Sequence, residues 1–380
     1  MRTFNRRSTV LAWIVIAGFA ALWTVLGARA LPQGRASDFL SFYTGAYLAS
    51  HGSVASLYDP AAQFAIQRNL LPSTVELVPF LRPPFYALLL APLTRLPFGA
   101  AFIGWILLQT GIFLACLGWA WRRFGTVALL CGSMSLPAAL GIAHAQDTVA
   151  FLGVVIVSYL LVEKGRDLAA GAVLGLLLVK FHLAPLWLVG LILHRRWKML
   201  AGFFATGSAA AAVSLAMVGV GGARAYAALL QNRNLEWLTP SPELTISFQG
   251  LAANLGIATL AGRAGLVAAA VGLLLAAVLN APMWRVYAAS TVASLLAVPH
   301  VYGYDAALLL LPLWLAAFHA ALRPTKLVTL WLFTSLPFAS LLAGKPWAAA
   351  ASLSLLAFAA TLAGEGVATA RKPQQADESP

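Results

Sequence analysis

Long apolar stretches recur along most of this chain, and short clusters of arginine and lysine separate them. Residues 99–121, for example, are almost entirely apolar and end at Trp121-Arg122-Arg123. A run of about 20 apolar residues is long enough to cross the hydrocarbon core of a bilayer as a helix. In lipid every backbone polar group must be bonded within the protein, and a helix achieves this within one segment. The chain is therefore expected to be an all-α polytopic membrane protein.

Composition supports this class. The chain is 61% hydrophobic and only 10% charged, whereas a soluble domain carries about 25% charged residues. A formal charge of +13 would suggest nucleic acid in a soluble protein, but here the basic residues form short clusters typical of cytoplasmic loops. No nucleic-acid partner is expected. Cys116 and Cys131 lie in apolar segments, which indicates small buried hydrophobic residues rather than a disulfide or a metal pair.

The positive-inside rule predicts a single bundle over residues 1–364, with about twelve spans, both termini in the cytoplasm and a polar cytoplasmic tail at 365–380. The segment 84–96 is too short to cross comfortably, and it either spans or forms a re-entrant helix. The predicted spans are 10–30, 99–121, 126–144, 148–163, 168–180, 184–194, 199–219, 263–279, 284–299, 303–320, 327–342 and 346–364.

Two long extracytoplasmic loops follow from this topology, at 31–82 and 220–262. In the first loop a helix is expected to begin at Asp38, with an apolar stripe that would lie in the membrane interface. A second helix is expected from Asp59-Pro60, a cap followed by proline in the first helical position, through Arg68. The interfacial stripe consists of Phe39, Phe42, Tyr43, Ala46 and Tyr47.

Ionisable and polar residues gather at the predicted outer face. Charged groups at membrane depth are costly, so each is a candidate for function. Each also has an ordinary explanation: Asp38 can cap its helix, Arg82 can anchor to lipid headgroups, and Lys180 can snorkel to the interface. The four groups are Asp38 with Arg82; His144, Gln146 and Asp147; Lys180 with His182; and His300, Tyr302, Tyr304 and Asp305.

The residue types exclude several chemistries. The chain has no HExxH or Cys/His spacing for zinc, no GxxxxGK[ST] phosphate loop and no GxSxG nucleophile motif. An isolated carboxylate beside cationic groups suits displacement at a sugar carbon with a phosphate leaving group. One base would deprotonate the acceptor hydroxyl, and positive side chains would stabilise the departing phosphate. No metal and no cofactor is expected.

A series of short motifs occurs in order over about residues 35–320. In this order and spacing they resemble glycosyltransferase family 87, the polyprenol-phosphate-mannose-dependent mannosyltransferases and related arabinosyltransferases of the C-type glycosyltransferase superfamily. The motifs are Asp38-Phe39 with Tyr43 and Gly45; Gly52; Leu57-Tyr58-Asp59-Pro60; Arg82-Pro83-Pro84-Phe85; Ala91-Pro92-Leu93 and Leu96-Pro97; Ala145-Gln146, where the family has Gly-Gln; Gly171, Gly175 and Lys180; Ser247-Phe248-Gln249-Gly250-Leu251; and Pro299-His300 with Tyr304-Asp305 and Leu311-Pro312-Leu313.

The resemblance implies a C-type bundle with an extracytoplasmic active site in the plasma membrane, of the bacterial inner-membrane kind. It also implies inverting transfer of a sugar, with mannose expected, from a polyprenyl-phosphate donor to a glycolipid or glycan. Asp38 would then be the base, and His300 would assist proton movement or acceptor binding. The remaining site residues are Arg82 and Lys180 for the donor phosphate, and Tyr58, Gln146, Asp147, Tyr304 and Asp305 for substrate binding.

Two other classes of protein have to be weighed. A transporter or a flippase for lipid-linked sugars also has about twelve spans, but carriers often show internal repeats and charges deep in mid-span. Here the two halves are dissimilar and the charges gather at one face. A purely structural assembly partner would tolerate loss of the loop carboxylates.

Overall fold

The computed structural model describes residues 38–231 except 53, then 241–257, 271–278 and 281–376, together with the isolated positions 10, 14 and 268. The described residues are helical and contain no strand, and an isolated bridge pairs Thr245 with Tyr302. Apart from positions 10 and 14, the predicted first span at 10–30 lies outside the described residues, as do residues 263–267, 269–270 and 279 of the predicted span at 263–279.

The helices are numbered in chain order. The first eight are α1 (Asp38–Ser50), α2 (Pro60–Leu70), α3 (Pro84–Leu90), α4 (Phe98–Phe124), α5 (Thr126–Ser133), α6 (Leu136–Ala143), α7 (Thr148–Glu163) and α8 (Asp167–Leu174). The others are α9 (Ala184–Leu193), α10 (Trp197–Gln231), α11 (Phe248–Leu255), α12 (Met283–Ala297), α13 (Leu310–His319), α14 (Arg323–Phe333), α15 (Leu336–Ala339) and α16 (Ala349–Ala376). Short 3-10 helices lie at Val54–Ser56, Ala91–Arg95, Gly175–Leu183, Pro242–Leu244, Gly303–Leu309 and Ser340–Ala343.

By length and composition, the described residues contain four helical segments able to cross a membrane, or six if each bent pair of helices is one span. Two predicted spans, 126–144 and 327–342, correspond to these bent pairs, which are broken by 50°. The segment 84–96 forms α3 followed by a 3-10 helix, together too short for a hydrocarbon core of about 30 Å. The four single segments are Phe98–Phe124, Asp167–Leu193, Trp197–Gln231 and Ala349–Ala368.

The segment Asp167–Leu193 doubles back on itself. Arg196 Nη1 lies 3.1 Å from Asp167 Oδ2, although a straight helix of 27 residues would separate its ends by about 40 Å. The reversal falls at Lys180, whose backbone is not helical (φ −104°, ψ 59°). The ion pair confirms the predicted turn between the segments 168–180 and 184–194, and it places Lys180 at the tip of a hairpin.

Helix α10 changes direction at Gly219, whose φ of +62° interrupts the helix. Residues on both sides of this break, such as Ser214 and Tyr226, line one cavity. They would lie about 18 Å apart along a straight helix. The second part of α10 therefore folds back beside the first, towards the segment that precedes α3.

Helix α1 differs from its prediction. Phe39, Leu40, Thr44 and Ala46 are fully buried, and nearly every residue of the helix is covered. The predicted apolar stripe is therefore covered by protein, and the expectation that the stripe faces the membrane interface is wrong. An apolar stripe has the same spacing whether protein or lipid covers it, and here α3, the 3-10 helix at Ala91–Arg95 and the N-terminal part of α4 pack around the helix.

The second loop helix, α2, begins as predicted. The Asp59 carboxylate caps it by accepting a hydrogen bond from Ala61 N at 2.9 Å. Two buried glutamines on one face of α2, Gln63 and Gln67, bond to the main chain of an extended segment, residues 78–82, which we call the strap.

The strap is bonded along its length. Gln67 bonds both the N–H and the carbonyl of Val78, at 2.9 and 2.6 Å. Gln63 accepts from Phe80 N at 2.8 Å, and Ser41 on α1 donates to Pro79 O at 2.9 Å. These side-chain bonds replace the ladder that an isolated extended segment lacks.

The C-terminal helix α16 continues to Ala376, so residue 365, the predicted start of the polar tail, lies inside the helix. Glu365 is buried and accepts hydrogen bonds from Ala321 N and Leu322 N at 3.2 and 2.7 Å. Its carboxylate thereby bonds main-chain donors just before α14.

Candidate active site

The turn between α6 and α7 carries two candidate residues, Gln146 and Asp147. Its main chain forms a Schellman motif, with Gln146 N donating to Gly141 O at 2.8 Å and Ala145 N donating to Ile142 O at 2.9 Å. Ala145 occupies the left-handed position of this motif, with φ of +53°. Glycine is favoured there because it has no Cβ, which explains a Gly-Gln motif at this point in the chain.

Trp105 on α4 connects this turn to helix α1. Its Nε1 donates to Ala145 O at 2.9 Å, and its ring lies 6.2 Å from that of Phe39 and 5.9 Å from that of Phe42. The first residue of α1, Asp38, is thereby held beside the turn.

Asp38 and Gln146 form a hydrogen bond across this junction, in which Gln146 Nε2 donates to Asp38 Oδ2. Gln146 is buried, whereas Asp38 is only partly buried. Burial raises the pKa of Asp38 to about 6, against the opposing effect of the Arg82 charge. The group is therefore mostly ionised at neutral pH and can accept a proton.

Four other charged residues form a buried network, which we call the charge cluster: Arg82, Asp147, Lys180 and Asp305. Lys180 Nζ lies 2.6 Å from Asp305 Oδ1 and 3.2 Å from Asp147 Oδ1. Arg82 Nη2 lies 3.1 Å from Asp147 Oδ1. Buried charges require such pairing, because an isolated ion would carry a large desolvation penalty. Residues far apart in sequence are thus fixed to one another.

Thr148 completes the cluster at the start of α7. Its hydroxyl accepts a hydrogen bond from Lys180 Nζ at 2.8 Å and donates to Asp305 Oδ1 at 3.1 Å. Asp305 Oδ2 in turn accepts from Tyr302 N at 3.1 Å. Lys180 thus has one partner for each of its three protons.

The two cations of the cluster differ in exposure. The Lys180 side chain is 3% exposed and that of Arg82 is 15% exposed. The Arg82 guanidinium also lies 5.6 Å from the centre of the Phe42 ring. Arg82 is therefore the cation of the cluster that an incoming anion can reach first.

Aromatic residues border the cluster on the side of the 3-10 helix Gly303–Leu309. The Tyr302 ring lies 5.2 Å from that of His300 and 5.8 Å from that of Tyr304. The Tyr304 ring lies 5.8 Å from Lys180 Nζ and 6.5 Å from the His144 ring. Burial lowers the pKa of His300, so its imidazole is neutral at pH 7.

The structure brings together most of the residues singled out in the sequence. Asp38 bonds to Gln146, and Gln146 precedes Asp147 of the charge cluster in the chain. Tyr304 and His300 lie at the border of the charge cluster. Tyr58 lies behind Arg82, because its hydroxyl donates to Arg82 O at 2.8 Å rather than to the cluster.

Thr148, Trp105 and Tyr226 were not predicted. Thr148 adjoins Gln146-Asp147 and could have been included on that ground. Trp105 lies within a predicted span and Tyr226 in the predicted loop at 220–262, and neither carries a signal. Within the described ranges, no three His, Cys, Asp or Glu side chains gather in a way that could hold a metal ion.

The model of glycosyltransferase family 87 matches residues 80–312, well over half of the chain. The chain belongs to glycosyltransferase family 87. No match was found among curated proteins or among solved structures.

Membership in family 87 implies a membrane glycosyltransferase. The matched region includes Gln146, the whole charge cluster and His300, while Asp38 precedes it. As a glycosyltransferase, the protein uses a sugar donor and an acceptor, and its apolar helices agree with a place in the membrane.

Proposed function

We propose that this family 87 enzyme transfers a sugar, with mannose expected, from a polyprenyl-phosphate donor to a glycolipid or glycan. Transfer inverts the sugar carbon, and Asp38 is the base. The acceptor oxygen attacks the sugar carbon as Asp38 takes the hydroxyl proton. The bond between that carbon and the phosphate oxygen breaks, and the electron pair leaves with the polyprenyl phosphate.

One observation carries this assignment. Three carboxylates lie close together, but Asp147 and Asp305 are neutralised by direct ion pairs with Lys180. Among the described contacts Asp38 has no ion pair, only the neutral amide of Gln146. With a raised pKa and partial exposure, Asp38 is the carboxylate best suited to accept a proton from an entering hydroxyl.

The charge cluster supplies the positive groups. Arg82 would bind the donor phosphate directly, because it is the more exposed cation and a guanidinium bonds phosphate oxygens in pairs. Lys180 would add its charge from behind Asp147. Both stabilise the negative charge that develops on the phosphate as the sugar leaves, without a general acid.

A cavity of about 250 Å³ beside the strap supports a lipid donor. A cavity of 150 Å³ holds a benzene molecule, so this one has room for roughly one or two five-carbon isoprene units of the chain next to the phosphate. The cavity begins at Pro83, next to Arg82. Its longest wall is α10, a helix of which little is buried within the protein. The lining residues are Pro83, Phe85, Leu178, Phe181, Gly207, Ala210, Ala211, Ser214, Tyr226 and Leu230.

The aromatic border would receive the sugars. A neutral His300 can accept or pass on a proton, and the rings of Tyr302 and Tyr304 offer flat faces, and Tyr304 also a hydroxyl, to a sugar. Gln146, which bonds to Asp38, and Asp147, in the charge cluster, would contact the transferred sugar. The site would face the extracytoplasmic side of a bacterial inner membrane, with both termini in the cytoplasm.

The test is the Asp38→Asn variant, purified and supplied with polyprenyl-phosphate mannose and an acceptor lipid. We expect turnover to fall by about 10²–10⁴-fold, the range attributed to a positioned general base. Asp59→Asn is the matched control. That exposed residue only caps α2, and asparagine caps a helix equally well, so turnover should be unchanged. Normal turnover by a correctly folded Asp38→Asn protein would contradict the assignment.

A further inference from the structure

Two tyrosine hydroxyls bond consecutive carbonyls at the end of the strap. Tyr58 donates to Arg82 O at 2.8 Å, and Tyr226 donates to Leu81 O at 3.1 Å. Their rings stack on each other, with centres 4.6 Å apart and planes 28° apart. We call Tyr58 and Tyr226 the tyrosine pair. Its members come from segments more than 160 residues apart in the chain.

The tyrosine pair fixes the main chain of Arg82, while other groups fix its side chain. The guanidinium lies against Asp147 and over the Phe42 ring. Gln63, Gln67 and Ser41 hold the strap only at residues 78–80. The last two carbonyls before Pro83 therefore depend on the tyrosine hydroxyls.

Tyr226 also lies at a boundary. It lines the apolar cavity, while its hydroxyl reaches the residue before Arg82. It is placed there by the break of α10 at Gly219. A lipid tail in the cavity and a phosphate at Arg82 would thus lie on opposite sides of the Tyr226 side chain.

We propose that Tyr226, together with Tyr58, is a positioning residue that holds Arg82 at the donor phosphate, directly beside the lipid cavity. The inference rests on the proposed function, because it needs a lipid-phosphate donor. Tyr226 acts through Arg82 and does not touch the reacting atoms. Its loss should therefore weaken donor binding more than it slows the chemical step.

Tyr226→Phe is the main test, because phenylalanine keeps the stacked ring and the cavity wall and removes only the hydroxyl. With polyprenyl-phosphate mannose as donor, we expect the donor KM to rise by about 3- to 10-fold, the equivalent of one net hydrogen bond. The kcat should stay within about twofold. Tyr58→Phe should behave in the same way.

Tyr43→Phe is the matched control. Tyr43 is a buried tyrosine whose hydroxyl also donates to a main-chain carbonyl, but that carbonyl belongs to Leu96, at 2.9 Å, and lies outside the strap. Its donor KM should be unchanged. Equal effects of Tyr43→Phe and Tyr226→Phe on KM and thermal stability would show a general structural role and overturn the proposal.

A double-mutant cycle with Arg82→Ala tests whether Tyr226 affects donor binding through Arg82. The measurement is equilibrium binding of polyprenyl-phosphate mannose to protein in nanodiscs, which does not require turnover. The loss of affinity caused by Tyr226→Phe should disappear when Arg82 is alanine. A loss of the same size in both backgrounds would overturn the positioning role alone. Failure of the unmodified enzyme to bind or use any polyprenyl-phosphate sugar would overturn the proposed function, and the inference with it.

Discussion

Asp38 differs from its neighbouring carboxylates in having a neutral partner, and this determines how the enzyme should respond to pH. With a pKa of about 6, the proposed base becomes protonated as the pH falls and can no longer accept a proton from the acceptor hydroxyl. We expect turnover to be half-maximal near pH 6 and to fall about tenfold for each further pH unit. A pH–rate profile between pH 5 and 8 measures this limb.

Ionisation of Asp38 should raise turnover but lower the stability of the fold. Because the folded pKa lies above the ordinary value of 3.8, the folded state holds the proton more tightly than the unfolded chain. The resulting stabilisation is full below about pH 4 and is lost as the pH rises through 6. An acid limb that coincides with unfolding would therefore not arise from Asp38.

Gln146 should influence the pH at which turnover falls on the acid side of the pH–rate profile. Its amide stabilises the charged form of Asp38, so Gln146→Leu should raise the pKa of Asp38 and move the acid limb upward by about one pH unit. Gln109→Leu is the control, since Gln109 is an equally buried amide that bonds Ala150 N instead. An unshifted limb in Gln146→Leu would rule out this role.

Ala145 offers a gain in stability at the same turn. An L-residue in the left-handed region is strained by about 1–2 kcal/mol relative to glycine, so Ala145→Gly should raise the melting temperature. Arg195 has the same φ of +53° in the corresponding turn after α9, and Arg195→Gly should stabilise similarly. Thermal unfolding in detergent measures both, and a lower melting temperature for both variants would contradict the strain argument.

At the scale of elements, the strap depends on side chains of α2. Gln67→Leu would leave both polar groups of Val78 without their partner; because Val78 is only partly buried, each should cost less than the roughly 1–3 kcal/mol of a fully buried group. We expect a lower melting temperature and a rise in donor KM smaller than that of Tyr226→Phe, because the tyrosine pair would still hold the main chain of Arg82. Ser41→Ala removes a single bond to the strap and should have a smaller effect on both. An unchanged KM in Gln67→Leu would mean that the strap does not control Arg82.

Sequence predicted several elements well. The capped start of α2 and the extents of α4 and α7 follow from local signals, a cap with proline and long apolar runs between basic clusters. The burial of α1 did not follow, because apolar spacing does not distinguish protein from lipid as the covering material. The break at Gly219 coincides with the end of the predicted span 199–219, but the helix that continues beyond it to Gln231 was predicted as loop.

At the scale of the whole molecule, the hairpin at Lys180 predicts a labelling pattern. The Asp167–Arg196 ion pair places the two ends of the segment together. Single cysteines at the exposed positions Lys164 and Lys198, in a background with Cys116 and Cys131 changed to alanine, should react with an impermeant maleimide from the same side of the membrane. Reaction from opposite sides would contradict the reversal.

The site as a whole could be predicted only in part. The predicted topology gathered these polar residues at one face, since each lies in the first external loop or near the outer end of a predicted span. The pairing of the side chains could not be predicted from the sequence, because it depends on the rotation of each helix about its axis. Nothing in the sequence indicated that Lys180 would lie between Asp147 and Asp305 while Asp38 would bond to Gln146.

The glutamines that anchor the strap have one more consequence. Their amides do not titrate, so acidification that protonates Asp38, the proposed base, leaves Arg82 in place. Dissolved ions hardly weaken such uncharged anchors either. If the site faces the outside of the cell as proposed, where acidity and salinity follow the surroundings, the enzyme would lose rate in acid while it kept its lipid donor bound, and it would recover as soon as conditions returned.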